Sequence, residues 1–197
     1  MAEGCDYSFS RPDPTCLAAA GKRFVMRYVG HDPRGSKDIT RAEADTLIAA
    51  GLKIVTIHQP GPASRRLLGG YDWGYADARD AHEQATGAGM PQWGPIMFSL
   101  DTDPATLTSR DWANVEAYLI GAGSVLGNTR VGLYGGFEAV ERMCPVPAWW
   151  GFQTSAWSGG RWSSLAQIQQ YRNNVTFCGG TVDLDRSTDP NYGYWPR

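Results

Sequence analysis

The chain has 197 residues, enough for one domain with a substantial core, and its 42% hydrophobic and 19% charged content is ordinary for a globular protein. A formal net charge of −2, with no Lys/Arg cluster, excludes the electrostatic footprint of a nucleic-acid binder. The longest apolar runs, such as Phe24–Met26 and Pro95–Phe98, are far too short to span a bilayer, so no membrane insertion is expected.

The opening Met-Ala-Glu-Gly-Cys-Asp has neither a charged n-region nor an apolar h-region, so no secretory signal is expected in this chain. A short β-prone segment around Cys5-Asp6 is followed by a strand pattern over Arg23–Val29. Thr40-Arg41-Ala42-Glu43 is a capping box, opening a helix with Ala44, Leu47, Ile48 and Leu52 on one face and Gly51 as its stop. Lys53–His58 is β-branched and reads as a buried strand. A helix over Gly70–Thr86, a strand over Pro95–Leu100 and a helix over Asp111–Val125 follow. Thr129–Tyr134 is a strand and Phe137–Met143 a short helix. Ala148–Thr154, Gln167–Tyr171 and Thr181–Leu184 complete the strands, the first two separated by the turn Ser158-Gly159-Gly160-Arg161.

Eight strands alternating with helices predict an α/β protein, a single irregular (β/α)8 TIM-like barrel over 1–197 with shortened or missing late helices. A doubly wound open sheet is the alternative, weakened because no strand is followed by G-x-G-x-x-G. Cys5, Cys16, Cys144 and Cys178 form no CxxC pair and lack His partners at metal spacing, so they read as buried small residues or one disulfide. His31, His58 and His82 are the only bases a Cys nucleophile could use, in no recognisable motif. No metal site and no cofactor are expected.

Three acidic segments carry the functional signal: Gly4-Cys5-Asp6, Leu100-Asp101-Thr102-Asp103 and Val182-Asp183-Leu184-Asp185. Each follows or lies within an apolar or β-prone run, and a parallel barrel would gather such strand ends at one mouth. Asp residues also end strands and cap turns, as Asp103-Pro104 could do. A D-x-D pair could instead hold a divalent cation for nucleotide-sugar transfer, but nothing else supports a nucleotide site. Converging carboxylates suit general acid and charge-stabilising work at a sugar C1. Asp6, Asp101, Asp103 and Asp183 are therefore the expected catalytic set.

Asp6-Tyr7-Ser8, Arg23–Tyr28, Thr40–Gly51, Pro95–Asp103, Val131–Gly136, Gly151–Thr154, Ala156–Gly160, Gln169-Gln170-Tyr171 and Val182-Asp183-Leu184 together resemble one family from end to end. It is the glycoside-hydrolase-like domain of actinobacterial secreted proteins and of phages infecting actinobacteria, related to the family 25 glycoside hydrolases, lysozyme-type N-acetylmuramidases. The resemblance implies an irregular (β/α)8 barrel and peptidoglycan as substrate class. It also implies Asp6 at the first strand end, Asp101 and Asp103 at the fourth, and Asp183 at the last. Family 25 lysozymes carry a glutamate acid where this chain has Asp103. That shorter side chain stops more than about 1 Å short, a misplacement that can cost orders of magnitude in rate.

Arg27, Tyr28, His58, Gln59, Tyr134, Gln153 and Tyr171 fall at predicted strand ends and are expected to hydrogen-bond sugar hydroxyls or N-acetyl groups, His58 being equally readable as a core histidine. Trp157, with Trp162, would offer a stacking face. The expected function is a lysozyme-like glycoside hydrolase acting on peptidoglycan or a related cell-envelope glycan, as a phage lysin made in the host cytoplasm or another wall-acting protein. The alternative is a glycan-binding barrel without catalysis, such as a virion or tail component with virion assembly partners.

Overall fold

A computed structural model describes residues 1–30, 37–59 and 65–196 of the chain. Eight strands close a barrel in sequence order. They are β1 (Glu3–Asp6), β2 (Lys22–Val29), β3 (Lys53–His58), β4 (Ile96–Ser99), β5 (Val131–Gly135), β6 (Trp150–Thr154), β7 (Ile168–Phe177) and β8 (Gly180–Ser187). Among the described residues, the helices around it are α1 (Pro14–Ala19), α2 (Arg41–Ala49), α3 (Tyr71–Gly87), α4 (Ser109–Leu126) and α5 (Phe137–Met143). No helix follows β6 or β7, which is how so short a chain completes the barrel.

The first seven strands run parallel, but β8 is antiparallel to both β7 and β1. The cause is local. Phe177 pairs with Gly180, leaving a two-residue turn of Cys178 and Gly179 with φ of 50° and 81°. Two left-handed residues in succession make a tight hairpin, whereas a parallel return needs a crossover of a dozen or more residues. A disulfide ties Cys178 in this turn to Cys16 on α1, with Cα atoms 5.6 Å apart. Cys5 and Cys144 are free and buried. This corrects the expectation that the last acidic segment ends a strand at the mouth. β8 enters at the mouth and leaves at the floor.

Side chains sort into two cores by strand parity. Phe24, Met26, Val55, Ile57, Met97, Trp150, Phe152 and Ile168 fill the barrel interior, with Tyr192 closing it below against Phe24. Outward residues such as Val25, Ile54, Phe98 and Leu133 pack under the helices with Leu47, Ala78, Val115, Tyr118 and Leu119. Trp195 pairs with Ile54 below the point where β4 begins and bonds Thr56 Oγ1 through its ring nitrogen at 2.9 Å. Thr40 caps α2 by accepting the Glu43 N–H. The Glu43 carboxylate does not complete the capping box but turns inward to Arg27, at 2.6 Å.

Candidate active site

One polar side chain from every strand or its exit converges at the barrel mouth: Asp6, Tyr28, Gln59, Asp101, Tyr134, Thr154, Gln170 and Asp183 line two adjoining cavities of about 360 and 480 Å³. Their inward parity is the reason, since Tyr28 continues the Phe24–Met26 row, Gln59 the Val55–Ile57 row and Thr154 the Trp150–Phe152 row.

Gln170 organises the carboxylates. Its Oε1 accepts from Thr154 Oγ1 at 2.7 Å and from the Tyr134 hydroxyl at 3.1 Å. That fixes the sense of the amide, so Nε2 donates to Asp6 Oδ2 at 2.7 Å and Asp183 Oδ2 at 3.1 Å. Acceptors on the two N–H groups of one amide lie roughly 5 Å apart, so the two carboxyls form a close pair. The Tyr28 hydroxyl donates to Asp6 Oδ1 at 3.0 Å, and the Asn174 backbone N–H to Asp183 Oδ1 at 2.7 Å. Across the cleft, Gln59 Nε2 donates to Asp101 Oδ2 at 2.9 Å, and Lys37 Nζ donates to Gln59 Oε1 at 2.5 Å while lying over the Tyr28 ring.

Burial pushes Asp6 up from an ordinary 3.8 to about 7, the Asp183 charge adds to this, and the bonds from Gln170 and Tyr28 oppose it. Asp183 is also raised by burial, against the Asn174 N–H. Burial keeps the Tyr28 and Tyr134 hydroxyls protonated, so both act as donors. The pair thus combines a carboxyl that holds its proton near neutrality with a partner held by two N–H donors.

Phe9, 47% exposed, and Trp157, 39% exposed, flank the opening as aromatic faces. Trp157 and Asn174 both adopt left-handed backbone, at φ of 54° and 57°. Such strain is typical of loops that hold functional positions. Phe9 and Gln170 were missed by the sequence reading. Gln170 could have been found by parity, since it lies two residues beyond the inward Ile168.

Parity also separates the other expected residues from the cleft. Arg27 is fully buried, donating to Glu43, to the Tyr7 carbonyl at 2.5 Å and to the Lys37 carbonyl at 3.0 Å. His58 is buried against Phe98. Gln153 anchors the following loop through Ser158, Arg161 and Ser163, and Tyr171 bonds Glu3 at 2.8 Å on the outer surface. Trp162 lies under the Arg186 guanidinium, 5.7 Å away, rather than at the mouth. Asp103 caps the 3₁₀ turn Pro104–Thr106, accepting the Ala105 N–H at 3.0 Å, and is not among the residues lining either cavity. His31 lies outside the described residues. Among the described residues, no group of three or more His, Cys, Asp or Glu could hold a metal ion, and no helix is long and apolar enough to cross a membrane.

Known proteins match this chain along its length. Rv2525c of Mycobacterium tuberculosis, described as a candidate peptidoglycan hydrolase, is 29% identical over 96% of this chain and 82% of its own. The crystal structure of that Tat-secreted protein with L-tartrate superimposes with a TM-score of 0.90 at 28% identity, covering 99% of both chains. A muramidase from Trichobolus zukalii shares the fold at a TM-score of 0.65 and 18% identity, covering 96% of this chain and 94% of its own. A lysozyme from Streptomyces coelicolor does so at 0.61 and 15%, covering 95% and 92%. Over residues 15–192 the sequence matches one family throughout, and the chain belongs to the Rv2525c-like, glycoside hydrolase-like domain family.

Proposed function

We propose that this protein is a retaining glycoside hydrolase that cleaves peptidoglycan, with Asp6 as the acid. The observation that carries the reading is the Gln170 amide bridging Asp6 and Asp183, with Asp6 pushed to about 7. Asp6 gives its proton to the glycosidic oxygen as the C1–O bond breaks, and Asp183 and Asp101 stabilise the positive charge at C1. The substrate's N-acetyl oxygen attacks C1, and water then opens that intermediate while Asp6 takes back a proton. Phe9 and Trp157 stack on the flanking sugars. The candidate peptidoglycan hydrolase of M. tuberculosis supports the substrate class.

A second reading has its own observation. The side chain of Asp103, where related lysozymes place their acid, is occupied in capping a turn. That favours a barrel which binds wall glycan without cutting it, as a virion part would. Both roles meet the wall outside the reducing cytosol, where a bond such as Cys16–Cys178 persists. A lysin released to the wall or an exported wall enzyme fits the first reading, and the M. tuberculosis relative is itself Tat-secreted.

Release of reducing ends from purified peptidoglycan, abolished by Asp6→Asn, is the expected result. Binding to walls with no release from any of them supports the second reading and removes the first.

A further inference from the structure

The Asp6–Asp183 pair accounts for two of three carboxyls on one face of the β1–β8 seam. In the antiparallel register Asp183 lies opposite Asp6, and Asp185 lies opposite Gly4 on one side and Gln170 on the other. Two residues along a strand return the side chain to the same face about 6–7 Å further on, so Asp185 is directly below the pair inside the barrel. Gly4 is required there, because a Cβ would run into the Phe24 ring. Asp185 is 0% exposed, and neither of its carboxyl oxygens has a hydrogen-bond partner.

An ionised carboxylate in that position would have nothing to compensate it. The charged and titratable groups that act on Asp185 are Asp6 and Asp183 on its own face, with Glu3 and Cys5 of β1 and Lys22 of β2 beside them. Lys22 is the one cation among them, and it is paired with Glu3 at 3.5 Å. Burial, with the charges of Asp6 and Asp183 added, raises Asp185 well above its ordinary value and so favours the neutral acid. In that form its O–H has no acceptor in the present arrangement.

We propose that Asp185 is a positioning residue of the site, a protonated carboxyl that donates a hydrogen bond up to the Asp6–Asp183 pair when that pair carries its full charge. The inference rests on reading the pair as the acid/base centre. While Asp6 keeps its proton, the pair holds one charge shared over the Gln170 amide, and Asp185 remains unengaged. Once Asp6 gives up the proton, a second negative charge appears in a water-poor interior, and the donor below lowers its cost. No bond to carbon changes and no proton leaves Asp185. Carboxylic acids kept neutral by apolar surroundings are known to serve as strong donors to buried anions.

The test follows the carboxyl carbons of Asp6 and Asp185 by 13C NMR against pH, in the unmodified protein and in Asp185→Val and Asp185→Asn. Removing the donor with valine is expected to raise the Asp6 midpoint by about one pH unit, the size of one hydrogen bond to a charged group. Asparagine keeps an N–H in place and should hold the midpoint near its original value. In the unmodified protein the Asp185 carbon should report a protonated acid throughout and change shift at the Asp6 midpoint. A folded valine variant with an unchanged midpoint overturns the proposal. So does an Asp185 that ionises in the ordinary range. If the valine variant does not fold, the Asp185 signal of the unmodified protein decides: a response at the Asp6 midpoint supports the role and indifference removes it. No substrate is involved, so a barrel that never cuts glycan can still pass, and a true hydrolase can still fail.

Discussion

Replacing Asp6 by asparagine should change how stability depends on pH, and the direction follows from the structure. Asp6 is raised from 3.8 to about 7, chiefly by burial. Between those two values the folded chain holds a proton that the unfolded chain has released. Stability therefore falls as pH rises through this window. Below it both states are protonated, and above it both are ionised and this contribution levels off. Each such proton tilts stability by about 1.4 kcal/mol per pH unit, which over the whole window is roughly 4 kcal/mol at most. Asp183 and Asp185 are raised as well and add tilts of the same sign. Asp6→Asn should therefore flatten the profile by about one proton between roughly pH 4 and pH 7 and leave the remainder. Urea unfolding midpoints of both proteins, measured across that range, give the two slopes. Parallel slopes would show that Asp6 titrates alike in both states, and the argument for it as a neutral-pH acid would be lost.

Gln170→Leu should lower wall hydrolysis by about 100-fold or more, because both carboxylates lose a donor together, and reducing-end assays would detect it. Asp103→Ala should cost about 1 kcal/mol as a lost cap and change hydrolysis only slightly. A drop of orders of magnitude there would show that Asp103 leaves its turn to reach substrate. Early products followed by 1H NMR should keep the anomeric configuration of the substrate, as attack by its own N-acetyl oxygen followed by water requires; inversion would contradict it. Cys16→Ser with Cys178→Ser should lower stability by up to about 5 kcal/mol, given a sequence separation of 162 between the cysteines, as thermal unfolding with and without reductant would measure.

Strand positions were legible because apolar β-branched runs such as Lys53–His58 have no helical reading, and α5 was found at its observed limits for the same kind of local reason. Strand direction was not. A Cys-Gly hairpin lacks the Asn or Asp that usually announces a tight turn, so β8 read as one more parallel strand. Site residues were legible only to within a strand end. Arg27 and Tyr28 are neighbours, yet one is buried under α2 and the other bonds Asp6. Gln153 and Thr154 divide in the same way, as do Gln170 and Tyr171. Polarity and position could not choose between them, whereas counting by two from an apolar inward residue could. Glu43 shows the converse: its capping-box spacing is real, but the uncompensated Arg27 beneath α2 competes for the carboxylate and wins.

The two Asp-x-Asp motifs look equivalent in sequence and do opposite things because their strands run in opposite directions. β4 climbs toward the mouth, so its first aspartate, Asp101, reaches the rim, and its second, Asp103, has already left the barrel and caps the next turn. β8 descends from the mouth, so its first aspartate, Asp183, is at the rim and its second, Asp185, is buried one step deeper. In both motifs the first residue is the one that lines the mouth. The second is relegated, outward in one case and inward in the other. A swap therefore separates the two effects. Asp103→Glu lengthens a side chain that lies outside the barrel and caps a turn, so it should be tolerated and raise hydrolysis if the cap can be given up. Asp185→Glu must push a longer acid into the Gly4–Phe24 contact and should destabilise the fold by about 1–3 kcal/mol as overpacking. Equal effects of the two substitutions, in unfolding midpoints and in sugar release, would mean that strand direction does not govern which carboxyls the site uses.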